Sequence, residues 1–496
     1  MKLESTPAEA PPARQISPLP WLALLFLGGA ALGVSFLIGP ALGRGTYYRS
    51  VLNRMTYGYN RQVLLLFVPY GLALLAWWRG GRASTRILLG GAIILHVLVL
   101  FAPLPQSQDF YQYLFYGRMQ SAYGANPYVV QPVRFWLDGW YGLIRWPTQT
   151  SVYGPVWSML SFGVAKAAGS NLTAAIVLMK SAILAMDLSI MWSILALSKD
   201  RRDPEHAAGW GLLVYGWNPL ILITVPLGGL VDVGVAAAIL GAMVARRRGR
   251  SWLTTVLLMA ATLIKVYAGI ALLLHLVLLL RETGRKKVRA HALGAAALAF
   301  VAFAPYWAGW QTFRGLLNIV DKSNKSLTGT AQKLIGELFR LMGVSAAMDD
   351  AAAVVRWVVF GALALTVIWA IRRVHTEYDL WYGTLAVLSI YVLLTPWYLY
   401  WYLVAPLALV AALPRNRFTF PVLAFTGTTL ITVVFPPWLL GQVTQTLIRY
   451  GPPIVLYRRE RREDRRRRET LGRRIELTEP LKIEPRGESG RFVKLV

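Results

Sequence analysis

Long apolar runs, separated by short polar or basic stretches, recur along nearly the whole chain. A helix needs about 20 predominantly apolar residues to cross the hydrocarbon core of a bilayer. By that measure the pattern predicts spans over residues 20–42, 62–79, 86–103, 153–169, 172–198, 207–225, 229–245, 252–280, 289–308, 352–371, 381–413 and 418–440. The run 381–413 is too long for one crossing and is interrupted at Thr395-Pro396-Trp397, so it reads as two spans turning at that point. The expected fold is all-α: a polytopic transmembrane bundle of about 11–13 spans. β-Barrel strands would show short alternating segments instead. Segments 104–152 and 309–351 do not span and are expected to carry amphipathic juxtamembrane helices. The chain divides into an N-terminal cytoplasmic segment 1–19, a membrane module 20–440 and a basic cytoplasmic tail 441–496.

Composition reinforces this picture: 56% of the 496 residues are hydrophobic and only 15% are charged. The net charge of +28 does not point to nucleic acid. Its basic residues lie in short clusters between spans and in one Arg-rich tail, as orientation signals and contacts to anionic lipids do. The absence of cysteine excludes disulfides, thiolate metal sites and thiol catalysis. Residues 1–18 are Pro-rich and lack a cleavable signal pattern, so the first apolar run is expected to be a retained span.

The clusters Arg246–Arg248 with Arg250, Arg285–Lys287 with Arg289, Arg372-Arg373, and Arg415 with Arg417 belong on the cytoplasmic side, which leaves 104–152 and 309–351 outside. Two consequences follow. The 29 residues 252–280 have basic flanks at both ends, so they form either a short hairpin with Lys265 at its deep turn or one long tilted helix. Parity then makes Tyr153–Gly169 a membrane-edge or re-entrant helix rather than a span, since Lys199-Asp200-Arg201-Arg202 would otherwise fall outside.

The external segment opens on Ser107-Gln108-Asp109-Phe110-Tyr111-Gln112-Tyr113 and runs through Gly117-Arg118 to Asn126-Pro127-Tyr128. Read as a helix over 109–123, capped by Ser107 or Asp109, it sets Asp109, Gln112, Tyr113, Tyr116, Gln120 and Tyr123 on one side. Phe110, Tyr111, Leu114, Phe115 and Ala122 fall on the other, as in a helix lying in the interface plane. An Asp at the membrane–water boundary suits chemistry on a substrate that is half lipid; as an isolated residue it reads first as a helix cap, and the whole string turns the balance toward chemistry. Arg118 points away from Asp109 on an ideal helix. Either Gly117 breaks the helix and turns it back, or it reaches lipid headgroups.

Lys265 is the lone charge in a long apolar stretch and calls for an anion or an aqueous cavity. Lys180 and Asp187 share a helix face about 10 Å apart, each facing the bundle interior. Asp232, below Gly228-Gly229, is either a helix cap or a substrate contact. Pro219, in Tyr215-Gly216-Trp217-Asn218-Pro219, interrupts a span and frees a carbonyl that needs a partner. Trp397, Tyr398, Tyr400, Trp401 and Tyr402 crowd the Pro396 turn, as an interfacial belt or as faces that stack on sugar rings. The five His residues have no ligand spacing, and no metal or phosphate-loop signature is present, so neither metal nor cofactor is expected.

The string from Ser107 to Arg118, then Asn126-Pro127-Tyr128 and Tyr153-Gly154-Pro155-Val156-Trp157, resembles the GT-C superfamily of integral-membrane glycosyltransferases. It is most similar to the polyprenol-phosphate-mannose-dependent α-mannosyltransferases of bacterial cell envelopes. Trp217-Asn218-Pro219, Gly228-Gly229 with Asp232, Lys265 and Pro396-Trp397-Tyr398 follow in the family's order. Relatives commonly carry His-Asn before that Asp, where this chain has Leu230-Val231, so the preferred sugar or acceptor can differ. The resemblance implies a polyprenyl-monophosphate sugar donor, a glycan or glycolipid acceptor, and inverting transfer at the outer face of a prokaryotic plasma membrane. It implies Asp109 as general base, with Tyr113, Arg118, Asn126, Tyr128, Tyr153, Asn218, Asp232, Lys265, Trp397 and Tyr398 around the substrates. Lys265 and Arg118 are the candidates for the phosphate. A transporter or flippase of lipid-linked sugars shares the spans and interior charges, but no inverted repeat is visible. A ligase using a diphosphate-linked donor would call for a larger Arg-rich outer loop and a catalytic His.

Overall fold

The computed structural model describes residues 17–38, 64–100, 108–320, 326–435 and 441–477, and these are helical throughout apart from loops and one isolated bridge between Ala308 and Trp310. The N-terminal part comprises α1 (Leu19–Ile38), α2 (Leu64–Trp78), α3 (Thr85–Leu100), α4 (Gln108–Tyr123), α5 (Pro155–Ala168) and α6 (Leu172–Ser198). The centre is α7 (Pro204–Val214), α8 (Pro219–Leu222), α9 (Asp232–Arg247), α10 (Ser251–Ile264), α11 (Gly269–Thr283) and α12 (Arg285–Phe303). Then come α13 (Arg314–Val320), α14 (Leu327–Leu341), α15 (Ala347–Arg373), α16 (Glu377–Leu394), α17 (Val404–Ala412), α18 (Thr419–Val434) and α19 (Gln442–Leu477).

Among the described residues, four helices are long and apolar enough to cross a membrane, starting at Leu172, Val266, Arg285 and Ala347, and α7 with the α8 segment forms an apolar pair bent by 54°, a broken span or a re-entrant loop. Six shorter apolar helices of 10–17 residues accompany them among the described residues. The polytopic bundle is therefore present, with fewer full-length crossings among the described residues than the 11–13 expected of the whole chain. Many apolar runs are broken by turns that hydropathy averages over. Helix α5 is not among the apolar spans, in keeping with a membrane-edge role for 153–169.

Residues 211–236 are buried without interruption, which makes the broken α7–α8–α9 segment the core of the bundle. Side chains answer the backbone groups at its break. Asn218 Oδ1 accepts from Leu220 N (2.9 Å), replacing the bond that Gly216 O would otherwise take. That Gly216 carbonyl instead faces His96 Nε2 at 2.8 Å. The other ring nitrogen of His96 meets Asp187 Oδ2 at 2.5 Å, and Tyr215 OH donates to Asp187 Oδ1 at 2.9 Å. Asp187 thus serves the break, whereas Lys180 donates to the Leu100 carbonyl. Both face the interior as the sequence suggested, for separate reasons.

Of the two forms open to 252–280, the hairpin is realised. Thr255 Oγ1 meets His275 Nε2 at 3.1 Å, a pairing symmetric about Lys265. Helix α10 ends at Ile264 and α11 starts at Gly269, with one 3-10 turn between them. Both basic flanks therefore lie at one end and Lys265 at the other.

Helix α4 departs from the expected interface helix. Phe110, Leu114 and Phe115 are buried, but so are Gln112, Tyr113 and Tyr116 on the polar side. The Ser107 cap lies outside the described residues. An amphipathic helix does occur within 309–351: α14, whose Leu334, Leu338 and Leu341 form an exposed stripe beside Lys333, Glu337 and Arg340.

The tail also differs from expectation. Helix α19 runs back antiparallel along α18, with Arg449 Nε donating to Thr432 Oγ1 (2.8 Å), Tyr457 against Phe418 (5.3 Å) and Arg415 paired with Glu460 (3.2 Å). Residues 442–457 belong to the bundle, and only the Arg-rich stretch beyond them emerges beside Arg415. Gln442, Gln445 and Arg449 hid this return from a hydropathy reading, because their partners are on neighbouring helices.

Candidate functional site

Three segments distant in sequence converge. Asp109 stands in the first turn of α4. Asp232 begins α9, and Lys265 sits at the tip of the α10–α11 hairpin. Gly229 allows the first approach: its φ of +64° favours glycine, and a Cβ there would lie 2.4 Å from the Phe110 ring. Gly154 allows the second. It donates to Ile264 O (2.9 Å), and a Cβ there would stand 1.9 Å from Leu263 O. The start of α5 is thereby pressed against the residues just before Lys265.

Asp232 is fully buried, and each of its carboxylate oxygens has one partner: Lys265 Nζ at 2.8 Å and Tyr267 OH at 2.6 Å. It is not a helix cap. A buried carboxylate needs such neutralisation, and in return it fixes the Lys265 ammonium. That ammonium also lies 4.6 Å from the centre of the Tyr402 ring. Tyr267 stacks on Tyr391 at 5.2 Å.

Asp109, half-buried, accepts a hydrogen bond from the Trp146 side chain and feels the charges of Lys265, Asp232 and Arg145. Burial raises its carboxyl above the ordinary carboxylate range, although Lys265 and the Trp146 bond pull it down. Tyr113, Tyr153, Tyr400 and Tyr402 are within Coulombic range of it. Tyr113 and Tyr153 meet edge to face at 4.7 Å. Asp109, Lys265, Tyr153, Tyr267, Tyr400 and Tyr402 all keep partial exposure, so the cluster remains open. Chemically it offers a carboxylate to take a proton, a fixed cation for an anionic group, and aromatic faces for a sugar.

Of the residues named from sequence, Asp109, Tyr113, Tyr153, Asp232 and Lys265 come together. Trp397 stays half-buried on the Pro396 turn. Five others have partners within the framework. Arg118 pairs with Asp138 (2.6 Å), donates to Gly169 O and lies over Trp140. Gly117 does not break α4; it lets α5 approach, since a Cβ there would be 2.0 Å from Ser161 O. Asn126 ties Tyr306 O to the Tyr128 amide, and Tyr128 OH bonds Tyr153 O and Ser158. Asn218 caps α8, and Tyr398 OH bonds Thr429 while its ring stacks on Phe425.

Sequence reading did not single out Trp146, Gln112 or Tyr267 as parts of the site. Tyr267 was reachable, two residues beyond Lys265. Trp146 was not, because an irregular loop has no periodicity to bring it to Asp109. No group of three or more His, Asp or Glu residues positioned for a metal occurs among the described residues.

A family model described as alpha-(1->6)-mannopyranosyltransferase, N-terminal domain, matches residues 22–281. Over 429 residues the chain is 28% identical to the alpha-(1->6)-mannopyranosyltransferase A of Mycobacterium tuberculosis, covering 77% of each chain. The family match takes in Asp109, Trp146, Asp232 and Lys265, and stops short of Tyr391, Tyr400 and Tyr402.

Proposed function

The chain belongs to the alpha-(1->6)-mannopyranosyltransferase family, and from that premise we propose that it moves mannose from a polyprenyl-monophosphate donor to a mannoside acceptor at the extracytoplasmic face, inverting the anomeric carbon. It is a membrane mannosyltransferase. In the reaction an acceptor hydroxyl attacks the anomeric carbon, forming a new C–O bond as the bond to the phosphate oxygen breaks. Asp109 takes the hydroxyl proton. Lys265 balances the charge that develops on the departing lipid phosphate. The (1->6) linkage named for the family makes a primary hydroxyl of an acceptor mannose the expected nucleophile.

The observation that carries the proposal is the convergence of Asp109 with the Asp232–Lys265 pair in a tyrosine-lined, partly exposed cluster. The outer face is supported by the hairpin. Its 14-residue arm α10 rises about 21 Å from the Arg250 end, short of the roughly 30 Å core. Lys265 would then stand within the outer part of the membrane, where a lipid phosphate and an aqueous acceptor can meet.

The test supplies purified full-length protein in nanodiscs with a synthetic α-(1->6)-dimannoside and either polyprenyl-phosphate mannose or a nucleotide-diphosphate mannose. Chain extension from the lipid-linked donor alone is expected. Extension from the nucleotide sugar, with the lipid donor inert, would overturn the donor assignment.

A further inference from the structure

The polar stripe of α4 is occupied by a loop, and that arrangement bears on the base. Asp109, Gln112 and Tyr116 follow one another along one helix face. Each holds a point of the segment 146–149. Gln112, 1% exposed, grips the backbone of Trp146 in both directions: its Nε2 donates to Trp146 O (3.3 Å) and its Oε1 accepts from Trp146 N (3.2 Å). One turn on, Tyr116 OH donates to Gln149 O (2.7 Å). A primary amide that satisfies both backbone groups of one residue fixes its position and its orientation. The Trp146 side chain so held donates its hydrogen bond to Asp109.

We infer that Trp146 is a positioning residue for the reaction's base, set in place by Gln112 and Tyr116. The indole N–H engages the Asp109 carboxylate and restricts its rotation, directing its remaining lone pairs toward the acceptor hydroxyl. A tryptophan N–H can only donate, so the contact favours the ionised, proton-accepting form. The inference rests on Asp109 being the base, as proposed above. The other groups facing Asp109 are Lys265 and Arg145, which favour its charged form, Asp232, which opposes it, and the hydroxyls of Tyr113, Tyr116, Tyr153, Tyr400 and Tyr402.

The experiment compares pH–rate profiles of wild type, Trp146→Phe, Gln112→Ala and Asp109→Asn with polyprenyl-phosphate mannose and the dimannoside. Trp146→Phe keeps the aromatic packing and removes the donor. Its kcat is expected to fall ~10-fold, the scale of a hydrogen bond to a charged group, with acceptor KM nearly unchanged. The acid limb of its profile moves to higher pH, so part of the lost rate returns in alkaline buffer. Gln112→Ala, which leaves the indole but loosens its loop, moves the limb the same way by less, and it carries the test if Trp146→Phe fails to fold. An unmoved acid limb in both folded variants, with Asp109→Asn inactive, would overturn the positioning role and leave the base intact. Full activity of Asp109→Asn would overturn the base itself.

Discussion

Asp109→Asn is expected to abolish mannosyl transfer while the donor still binds. Asn keeps the size of the side chain and can still accept from Trp146, so packing around α4 is preserved. It cannot take a proton from the acceptor hydroxyl, and positioned proton transfer contributes on the order of 10²–10⁴-fold. The loss therefore falls on kcat, with donor KM little changed. The same reasoning fixes the pH dependence of the wild type. Only the ionised carboxyl acts, so the rate falls as pH drops through the Asp109 pKa. Burial holds that pKa above the ordinary carboxylate range, so the fall begins at a higher pH than a solvent-exposed Asp would give. Initial rates across pH check both points. Wild-type turnover in Asp109→Asn would remove the residue from the chemistry.

Lys265→Met is expected to cut kcat/KM for the donor by ~10²–10³-fold, the scale of removing a fixed electrostatic stabiliser, with a much smaller effect on acceptor KM. The single substitution also strands Asp232 as a fully buried carboxylate with only Tyr267 as partner. Loss of fold would then mimic loss of function. The double variant Lys265→Met/Asp232→Asn removes both charges together and separates the two effects. It is expected to fold, with Tyr267 still bonded at position 232, and to use the donor as poorly as the single variant. Undiminished donor kcat/KM in either folded protein would reassign Lys265 to the role of counter-ion for Asp232.

Sequence alone revealed an all-helical, polytopic membrane protein and which charges were costly to bury. Asp109, Asp232 and Lys265 stood out because ionisable groups are rare in apolar surroundings and need a reason to be there. Pro219 and Pro396 marked real breaks, since each stands where one helix has stopped and before the next proceeds. What sequence could not reveal was which polar groups answer one another across the fold. Arg118 looked like a spare cation until Asp138, 20 residues away, claimed it. Tyr398 looked like a sugar platform until Thr429 took its hydroxyl. The return of α19 along α18 was invisible because its polar residues are satisfied by neighbouring helices, which a hydropathy average counts as if they faced lipid. Trp146 was the extreme case, held on an irregular loop by two hydrogen bonds from Gln112 and by the bond of Tyr116 to Gln149.

With Asp109 as the proposed proton acceptor and Lys265 at the proposed phosphate position, the reaction proposed above is a single displacement at the anomeric carbon. The most direct measurement is the configuration of the mannosyl bond formed in one turnover, read by NMR from polyprenyl-phosphate mannose of defined anomeric configuration. The opposite configuration is predicted in the wild-type product, and no product from Asp109→Asn. A retained configuration, or inverted product from Asp109→Asn at the wild-type rate, would contradict the account.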